Sequence, residues 1–212
     1  MSTATFLKSD ATTNGTWYSG TVSSHTFVYG SDGFGLPDPN NRFGSNNPKW
    51  PAYATITLGG DTLVEWAFGS SNVRAVEYPP PGTSTGSDSQ RIASAWFANT
   101  SFTVDIQDGS LHQIALYFLD WDGFGGGRNE QIQITDDNNG NAVLDTRSVS
   151  GFEAAGKWLV WTVSGKVTFT ITNLNSSSNA VLSGIFFDPA PATPAVFPPF
   201  VSRPRFEPAL YE

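Results

Sequence analysis

The chain has 212 residues, of which 39% are hydrophobic and 14% aromatic, and this is enough for one domain with a sizeable core. It contains no cysteine, which excludes disulfides and thiolate metal sites. The net charge is −8, from 19 acidic and 11 basic residues, and no run of basic residues indicates a nucleic-acid surface.

No apolar stretch is long enough for a transmembrane helix, so we expect no membrane insertion. Residues 1–10 carry neither the basic nor the apolar part of a signal peptide. We therefore expect a protein made without a cleavable signal, or one whose signal lies outside this sequence.

Short strand patterns occupy the first half of the chain, at 5–8, 17–18, 26–29, 53–58, 62–68 and 91–97. Residues 30–51 interrupt them with Gly, Asn, Pro and aromatic residues, a composition that predicts a functional loop or one packed on its own aromatics. Gly59, Gly60 and Asp61 predict a hairpin between the strands at 53–58 and 62–68.

Residues 111–122 form the longest nearly continuous apolar run, and both alternating faces of this run are hydrophobic. Such a strand is covered on both sides, which predicts a place in the middle of a sheet. A buried helix is the alternative. The aromatic content and the abrupt end in Asp-Gly-Phe-Gly-Gly-Gly favour the strand.

Further strand patterns follow, at 101–106, 129–135, 142–149, 157–163, 166–172 and 179–187. We expect 101–106 to pair with 91–97, and we expect hairpins across residues 136–140 and across Ser164-Gly165. No segment shows a sustained helical period. The pattern predicts an all-β fold, an antiparallel β-sandwich over residues 1–188.

Residues 189–212 have a different composition, with seven of the fourteen prolines, and predict a stiff, extended arm. A disordered linker usually has few aromatic residues, so we expect this arm to dock on a partner chain, with a frayed tail as the alternative. The candidate partner-binding residues are Phe197, Phe200, Arg203, Arg205, Phe206 and Tyr211.

The best candidate ligand site is the step Asp120-Trp121-Asp122, where the apolar run enters a glycine-rich loop. The two carboxylates can bind sugar hydroxyls or Ca²⁺, with Arg128 as counter-ion and Trp121 or Trp50 as a stacking surface. Alternatively they bind loop amides and Arg128 in a structural role, or form a glycosidase pair. The positions i and i+2 suit such a pair poorly, because catalytic carboxylates face each other across a cleft.

Nucleophilic catalysis has no visible set of residues in this sequence. The two histidines, His25 and His112, show no metal-ligand spacing and no pairing with a serine. Of the seven tryptophans, four lie inside alternating strands, which predicts core positions for Trp66, Trp96, Trp158 and Trp161. We expect no enzymatic activity and no required cofactor.

Several segments resemble the galactose-binding-like β-sandwiches, the group that contains many carbohydrate-binding modules and malectin-like domains. They are the run at 111–122, Val-Leu-Asp-Thr-Arg at 143–147, Trp-Leu-Val-Trp at 158–161 and Ala-Val-Leu-Ser-Gly-Ile-Phe-Phe-Asp at 180–188, with a weaker similarity back to 5–7. The resemblance implies a jelly-roll sandwich, sugar binding in end loops or on a concave sheet face, and frequently a structural Ca²⁺. It implies no individual ligand residue.

Three functions follow from these observations. The first is a non-enzymatic structural or adhesion subunit, a homo-oligomer held by the arm in a larger extracellular or virion-surface assembly such as a phage decoration or fibre-associated protein. The second is a free or enzyme-associated carbohydrate-binding module. The third, a glycan-active enzyme, is disfavoured because no acid/base pair facing across a cleft can be named.

We expect deletion of residues 189–212 to leave the sandwich folded, because the arm is not one of its core strands, and to abolish assembly, because the arm is the anchor. The prolines keep the arm extended before it binds, which limits the ordering entropy that it loses on docking. Analytical ultracentrifugation of the truncated and full chains measures this. Full assembly of the truncated protein contradicts the anchoring role.

Overall fold

A computed structural model describes residues 1–21, 24–60, 62–78, 90–98 and 100–192. Within them lie two single-turn 3-10 helices, Gly44–Asn46 and Phe124–Gly126, and a set of strands. The strands are β1 Thr3–Asp10, β2 Tyr18–Thr21, β3 Ser24–Phe27, β4 Gly33–Gly35, β5 Ala54–Leu58, β6 Thr62–Ser70, β7 Val76–Glu77, β8 Arg91–Phe97, β9 Ser101–Ile106, β10 His112–Phe118, β11 Asn129–Asp136, β12 Ala142–Ser150, β13 Lys157–Ser164, β14 Lys166–Asn173, β15 Val181–Leu182 and β16 Gly184–Pro189. The predicted anchors of the arm lie outside the described residues.

The strands pair in antiparallel fashion and build a β-sandwich, which confirms the predicted fold class. The first sheet has the order β1-β13-β10-β16-β4, and the second has the order β12-β11-β14-β9-β5. A third, smaller sheet has the order β15-β8-β6, with β7 beside β8. No helix in the described part of the chain is long and apolar enough to span a membrane.

Strand β10 lies in the middle of the first sheet, between β13 and β16, as its two apolar faces predict. One face places Ile114, Leu116 and Phe118 in the core between the two large sheets. The other face, continued by Leu119, packs in a second core with the residues around Trp17. Both faces of this strand are therefore covered by other parts of the sandwich.

The second sheet is apolar on one face and polar on the other. Strand β9, and β14 up to Ile171, alternate between buried and partly exposed positions, as their sequences predict. Phe102 and Phe169 are paired across these strands, and their rings stack at a centroid distance of 4.8 Å in the first core. Burial of this face holds the second sheet against the first.

Three predicted strand pairs are wrong, although the strands themselves form. β5 pairs with β9 and β6 pairs with β8, so these two successive strands lie in different sheets and do not form the hairpin predicted between them. β8 and β9 also lie in different sheets, as do β13 and β14. Stacked sheets are only about 10 Å apart, so a connection of one to three residues can cross between them as easily as it can turn within one.

The hairpin across residues 136–140 is confirmed, because β11 and β12 pair along their length. Residues 30–51 include β4, which is the edge strand of the first sheet, and Phe34 and Phe43 from this segment are buried. This agrees with a loop packed on its own aromatics.

Strand β6 is at the edge of the third sheet, and its register with β8 shifts between Glu65 and Ala67. Such a β-bulge changes the direction in which the local side chain points. Trp66 is the residue at this bulge, and it is half-buried beside both cores.

We expect Leu116→Ala to lower the free energy of unfolding by about 2–5 kcal/mol, because it opens a cavity in the core between the two large sheets. Leu116 is 0% exposed, whereas Leu111, just before the same strand, is 52% exposed. Urea denaturation of Leu116→Ala and of the control Leu111→Ala measures the difference. Equal effects of the two variants contradict the central position of β10.

Candidate functional site

The candidate site begins where β10 ends and the chain turns through glycines to β11. Gly123, Gly125, Gly126 and Gly127 have φ values of 61°, 66°, 84° and 102°. Glycine adopts this left-handed region at little cost, whereas other residues are strained there. The turn brings Arg128 back beside Asp120, eight residues earlier in the chain.

Asp120 is fully buried and anchors this loop. Its Oδ1 accepts a hydrogen bond from the Gly123 amide at 3.0 Å, and its Oδ2 accepts one from the Arg128 amide at 2.9 Å. Arg128 Nη1 also donates to Asp120 Oδ1 in a buried ion pair. Both carboxylate oxygens are therefore satisfied within the protein, and neither faces a ligand.

The Arg128 guanidinium is held in one orientation by three side chains. Its Nη1 also donates to Asp122 Oδ1 at 2.6 Å, and its Nε and Nη2 donate to Asn179 Oδ1 at 3.3 and 3.1 Å. The side chain is only 2% exposed. The planar guanidinium thus acts as a rigid connector between the glycine loop and the segment before β15.

Asp122 is the exposed member of this group, with 38% of its side chain accessible. Its Oδ2 accepts a hydrogen bond from Trp66 Nε1 at 3.1 Å, and its Oδ1 accepts one from the Phe124 amide at 3.3 Å. Partial burial raises its pKa, but the hydrogen bond and charge of Arg128 outweigh this and leave the pKa below its ordinary value. Asp122 therefore presents an ionised acceptor to solvent at neutral pH.

These residues border an open cleft of about 190 Å³, which we call the tryptophan cleft. Its lining combines aromatic, aliphatic and polar side chains, namely Val64, Trp66, Phe97, Asp122, Phe124, Arg128 and Asn179. The Arg128 guanidinium lies over the rings of Trp66 and Phe124, at 5.5 and 6.0 Å from their centroids. The amide nitrogen of Asn179 donates no hydrogen bond within the described residues, and is a free donor at this cleft.

The charge at the cleft is net negative, since Asp120 and Asp122 flank one arginine. Glu130 lies nearby on β11, and its Oε1 accepts a hydrogen bond from the Val181 amide at 2.9 Å. Burial raises the pKa of Glu130 well above its ordinary value, which favours its uncharged form. The cleft has no surplus positive charge for an anionic ligand.

The structure brings together three of the five predicted ligand residues, Asp120, Asp122 and Arg128. Trp121 instead packs against the second core, with the Arg74 guanidinium 4.7 Å from its ring. Trp50 lines a different groove on the opposite face of β6 and β8. Asp120 bonds to loop amides and to Arg128, which agrees with the alternative that its carboxylate has a structural role.

Sequence reasoning missed five lining residues, namely Val64, Trp66, Phe97, Phe124 and Asn179. Trp66 was predicted to be core because it lies in an alternating strand, and it does pack beside both cores, while its Nε1 reaches Asp122. Asn179 and Phe124 come from loops far apart in sequence. Phe124 is only two residues from Asp122 in the same glycine-rich loop, whereas no local signal joins Asn179 to Asp122.

The site does not fit Ca²⁺. The carboxylate oxygens of Asp120 and Asp122 are taken by Arg128 and by backbone amides, and a guanidinium already lies between them. No group of three or more His, Cys, Asp and Glu side chains in the described ranges is arranged to hold a metal ion. A calcium ion needs six to eight oxygen ligands, which these residues do not offer.

No protein-family model matches the chain, and no curated protein matches it in sequence. Among solved structures, it is similar to an exo-β-1,3-galactanase from Phanerochaete chrysosporium in complex with β-1,3-galactotriose, at 16% identity and a TM-score of 0.34. That match covers 80% of this chain but only 32% of the galactanase. A second similarity is to a structure described as CBM4, at 11% identity and a TM-score of 0.26, covering 64% of this chain and 82% of the other.

We expect Asp120→Asn to lower the free energy of unfolding by about 3–5 kcal/mol, because it leaves the buried Arg128 charge without its closest partner. Asp122→Asn is the matched control. Its side chain is 38% exposed, so the loss expected there is under about 1 kcal/mol. Chemical denaturation of the two variants measures their free energies of unfolding. An equal loss of stability in both contradicts the structural role of Asp120.

Proposed function

We propose that this β-sandwich is a non-catalytic carbohydrate-binding module, and that the tryptophan cleft binds one ring of a neutral glycan. The observation that carries the proposal is the joint placement of Trp66, Asp122 and Asn179, with the exposed carboxylate fixed by Trp66 Nε1 and Arg128. Aromatic surface and a rigid polar pair are the two features that a sugar ring requires.

A pyranose ring has an apolar C–H face and a rim of hydroxyl groups. The aromatic rings of Trp66 and Phe124 offer a surface for the apolar face. The Asp122 carboxylate can accept from one hydroxyl and the free Asn179 amide nitrogen can donate to another. Hydrogen bonds to a charged acceptor are about twice as strong as those between neutral groups.

The dimensions of the cleft favour one ring of a larger glycan. Its volume of about 190 Å³ is below the ~300–1,000 Å³ of pockets that enclose a drug-sized molecule. Its open form leaves room for the glycan to continue into solvent. Because the local charge is net negative, carboxylated and sulfated sugars are disfavoured there.

A binding role is favoured over hydrolysis by the placement of the two carboxylates. A glycosidase uses one carboxyl group as a proton donor and a second one on the other side of the scissile bond. Here Asp120 is 0% exposed, and both carboxylates bind the same Arg128 Nη1. Asp120 therefore cannot touch a substrate while this pair is intact.

The attachment role predicted for 189–212 remains a prediction from the sequence, since residues 193–212 lie outside the described part of the chain. Joined with a glycan-binding sandwich, such an arm makes an adhesion subunit of a virion or other extracellular assembly. If the arm has no attachment role, the protein is a carbohydrate-binding module that acts alone or beside an enzyme. The sandwich has the same proposed role in both cases.

We expect Trp66→Ala and Asp122→Asn each to weaken glycan binding at least about tenfold, or about 1.4 kcal/mol. A glycan array selects the ligand, and isothermal titration calorimetry of each variant gives the affinity. Trp121→Ala is the control, because Trp121 packs away from the cleft against Arg74, and its affinity should equal that of the wild type. Unchanged affinity in both cleft variants, or a preference for acidic glycans, contradicts the proposal.

A further inference from the structure

A second groove lies on the other face of the same two strands, and we call it the Trp50 groove. Leu63 on β6 is paired with Trp96 on β8, and the next pair is Val64 with Ala95. Successive side chains point to opposite faces of a strand. Leu63 and Trp96 therefore line the Trp50 groove, whereas Val64 lines the tryptophan cleft.

The Trp50 groove equals the tryptophan cleft in volume, at about 190 Å³. Trp50, Trp96 and three leucines form its apolar lining, and the loop after β4 adds polar groups. The three leucines are Leu36, Leu58 and Leu63, and the polar side chains are Asp38, Asn41 and Asn47.

The hydrogen bonds of the tryptophans separate them into two groups. Four indole N–H groups donate to protein acceptors, namely Trp17 to Glu77 O, Trp66 to Asp122, Trp158 to Asn14 O and Trp161 to Asp145. Within the described residues, Trp50, Trp96 and Trp121 donate none. Both indoles of the Trp50 groove thus have a free donor, and neither nitrogen is buried without a partner.

The walls of the Trp50 groove are held by hydrogen bonds inside the loop. Asp38 accepts from the amides of Arg42 and Phe43 at 2.8 and 2.9 Å. The Asn47 side chain accepts from the Leu36 amide at 2.8 Å and donates to the Leu36 carbonyl at 2.9 Å. Such bonds form the groove before any ligand arrives, which limits the entropy lost on binding.

The Trp50 indole is fixed by the backbone beneath it. A Cβ atom at Gly35 would lie 2.0 Å from Cη2 of Trp50, so the indole covers the space that glycine leaves empty. On another side its ring meets Phe187 at 6.0 Å in an edge-to-face contact. The indole is therefore a fixed surface.

The mixture of groups identifies the class of ligand. A purely apolar peptide side chain would cover the polar side chains of Asp38 and Asn41 without pairing with them, and burying an unpaired polar group is unfavourable. An anion is disfavoured by the Asp38 carboxylate. A sugar ring offers both an apolar face for the Trp50 indole and hydroxyls for Asp38 and Asn41.

We propose that the Trp50 groove is a second carbohydrate site, so that one sandwich binds neutral glycan on both faces of its β6–β8 sheet. The choice of a sugar as ligand rests on the function proposed above. Two sites on one domain raise the apparent affinity for a long or crowded polysaccharide, because the second contact forms at a high effective concentration. They also allow one domain to bridge two glycan chains.

The test uses the indole N–H resonances of the seven tryptophans in the full-length chain, assigned by single Trp→Phe variants. Hexasaccharides of cellulose, xylan and mannan are titrated separately as neutral probes. We expect one probe to shift the resonance of Trp66 and also that of Trp50 or Trp96. The cleft resonance and the groove resonances should each follow their own saturation curve. The buried Trp158 and Trp161 are internal controls and should not move.

A matched variant connects the shifts to the groove. Leu63→Asn changes a side chain that is 38% exposed, so the fold should persist. It should weaken the Trp50 and Trp96 response at least about tenfold and leave the Trp66 response intact. An unchanged Trp50 and Trp96 response in this variant overturns the second site.

The outcomes separate the two proposals. A shift of Trp66 without Trp50 or Trp96 overturns the second site and supports the proposed function. A shift of Trp50 or Trp96 without Trp66 supports the groove and overturns the assignment of the tryptophan cleft. No shift with any probe overturns both. A Trp50 shift caused by dilution, without sugar, means that a second copy of the chain fills the groove, and overturns the second site.

Discussion

The candidate site depends on one buried ion pair, between Asp120 and Arg128 at the end of the central strand. A buried charge is tolerated only with a close, hydrogen-bonded partner, and Asp120 is 0% exposed. The four glycines of the turn allow the chain to return within eight residues and supply that partner. Once Arg128 is held there, its other donors position Asp122 and Asn179 at the rim of the tryptophan cleft.

Three separate parts of the fold meet at this ion pair. The segment directly after β10 provides Asp120 and Asp122, the edge strand β6 provides Trp66, and the segment before β15 provides Asn179. β10 is covered on both faces, so its end is a rigid base for the loop. The third sheet brings the aromatic side chain to the carboxylate. The polar and aromatic halves of the site are thus fixed relative to each other by the packing of the sandwich.

The sequence predicts the strands well and their partners poorly, for a physical reason. The pattern of apolar residues along β9, β14 and β10 shows whether one or both faces of the strand are buried, and this pattern lies within the sequence of each strand. Whether β13 turns back beside β14 or crosses to another sheet depends on packing that Ser164-Gly165 does not encode. In the same way, the spacing of Asp120, Asp122 and Arg128 is visible in the sequence. The contribution of Trp66 is not visible, because it depends on where the distant strand β6 packs beside the loop.

The central claim is that the tryptophan cleft binds a neutral sugar ring, and a crystal structure with a bound oligosaccharide tests it most directly. The account predicts a ring against Trp66, with one hydroxyl donating to Asp122 and another accepting from the amide nitrogen of Asn179. It also predicts that the Asp120–Arg128 pair is unchanged on binding. A sugar bound elsewhere at saturating concentration, with the tryptophan cleft empty, would contradict the account.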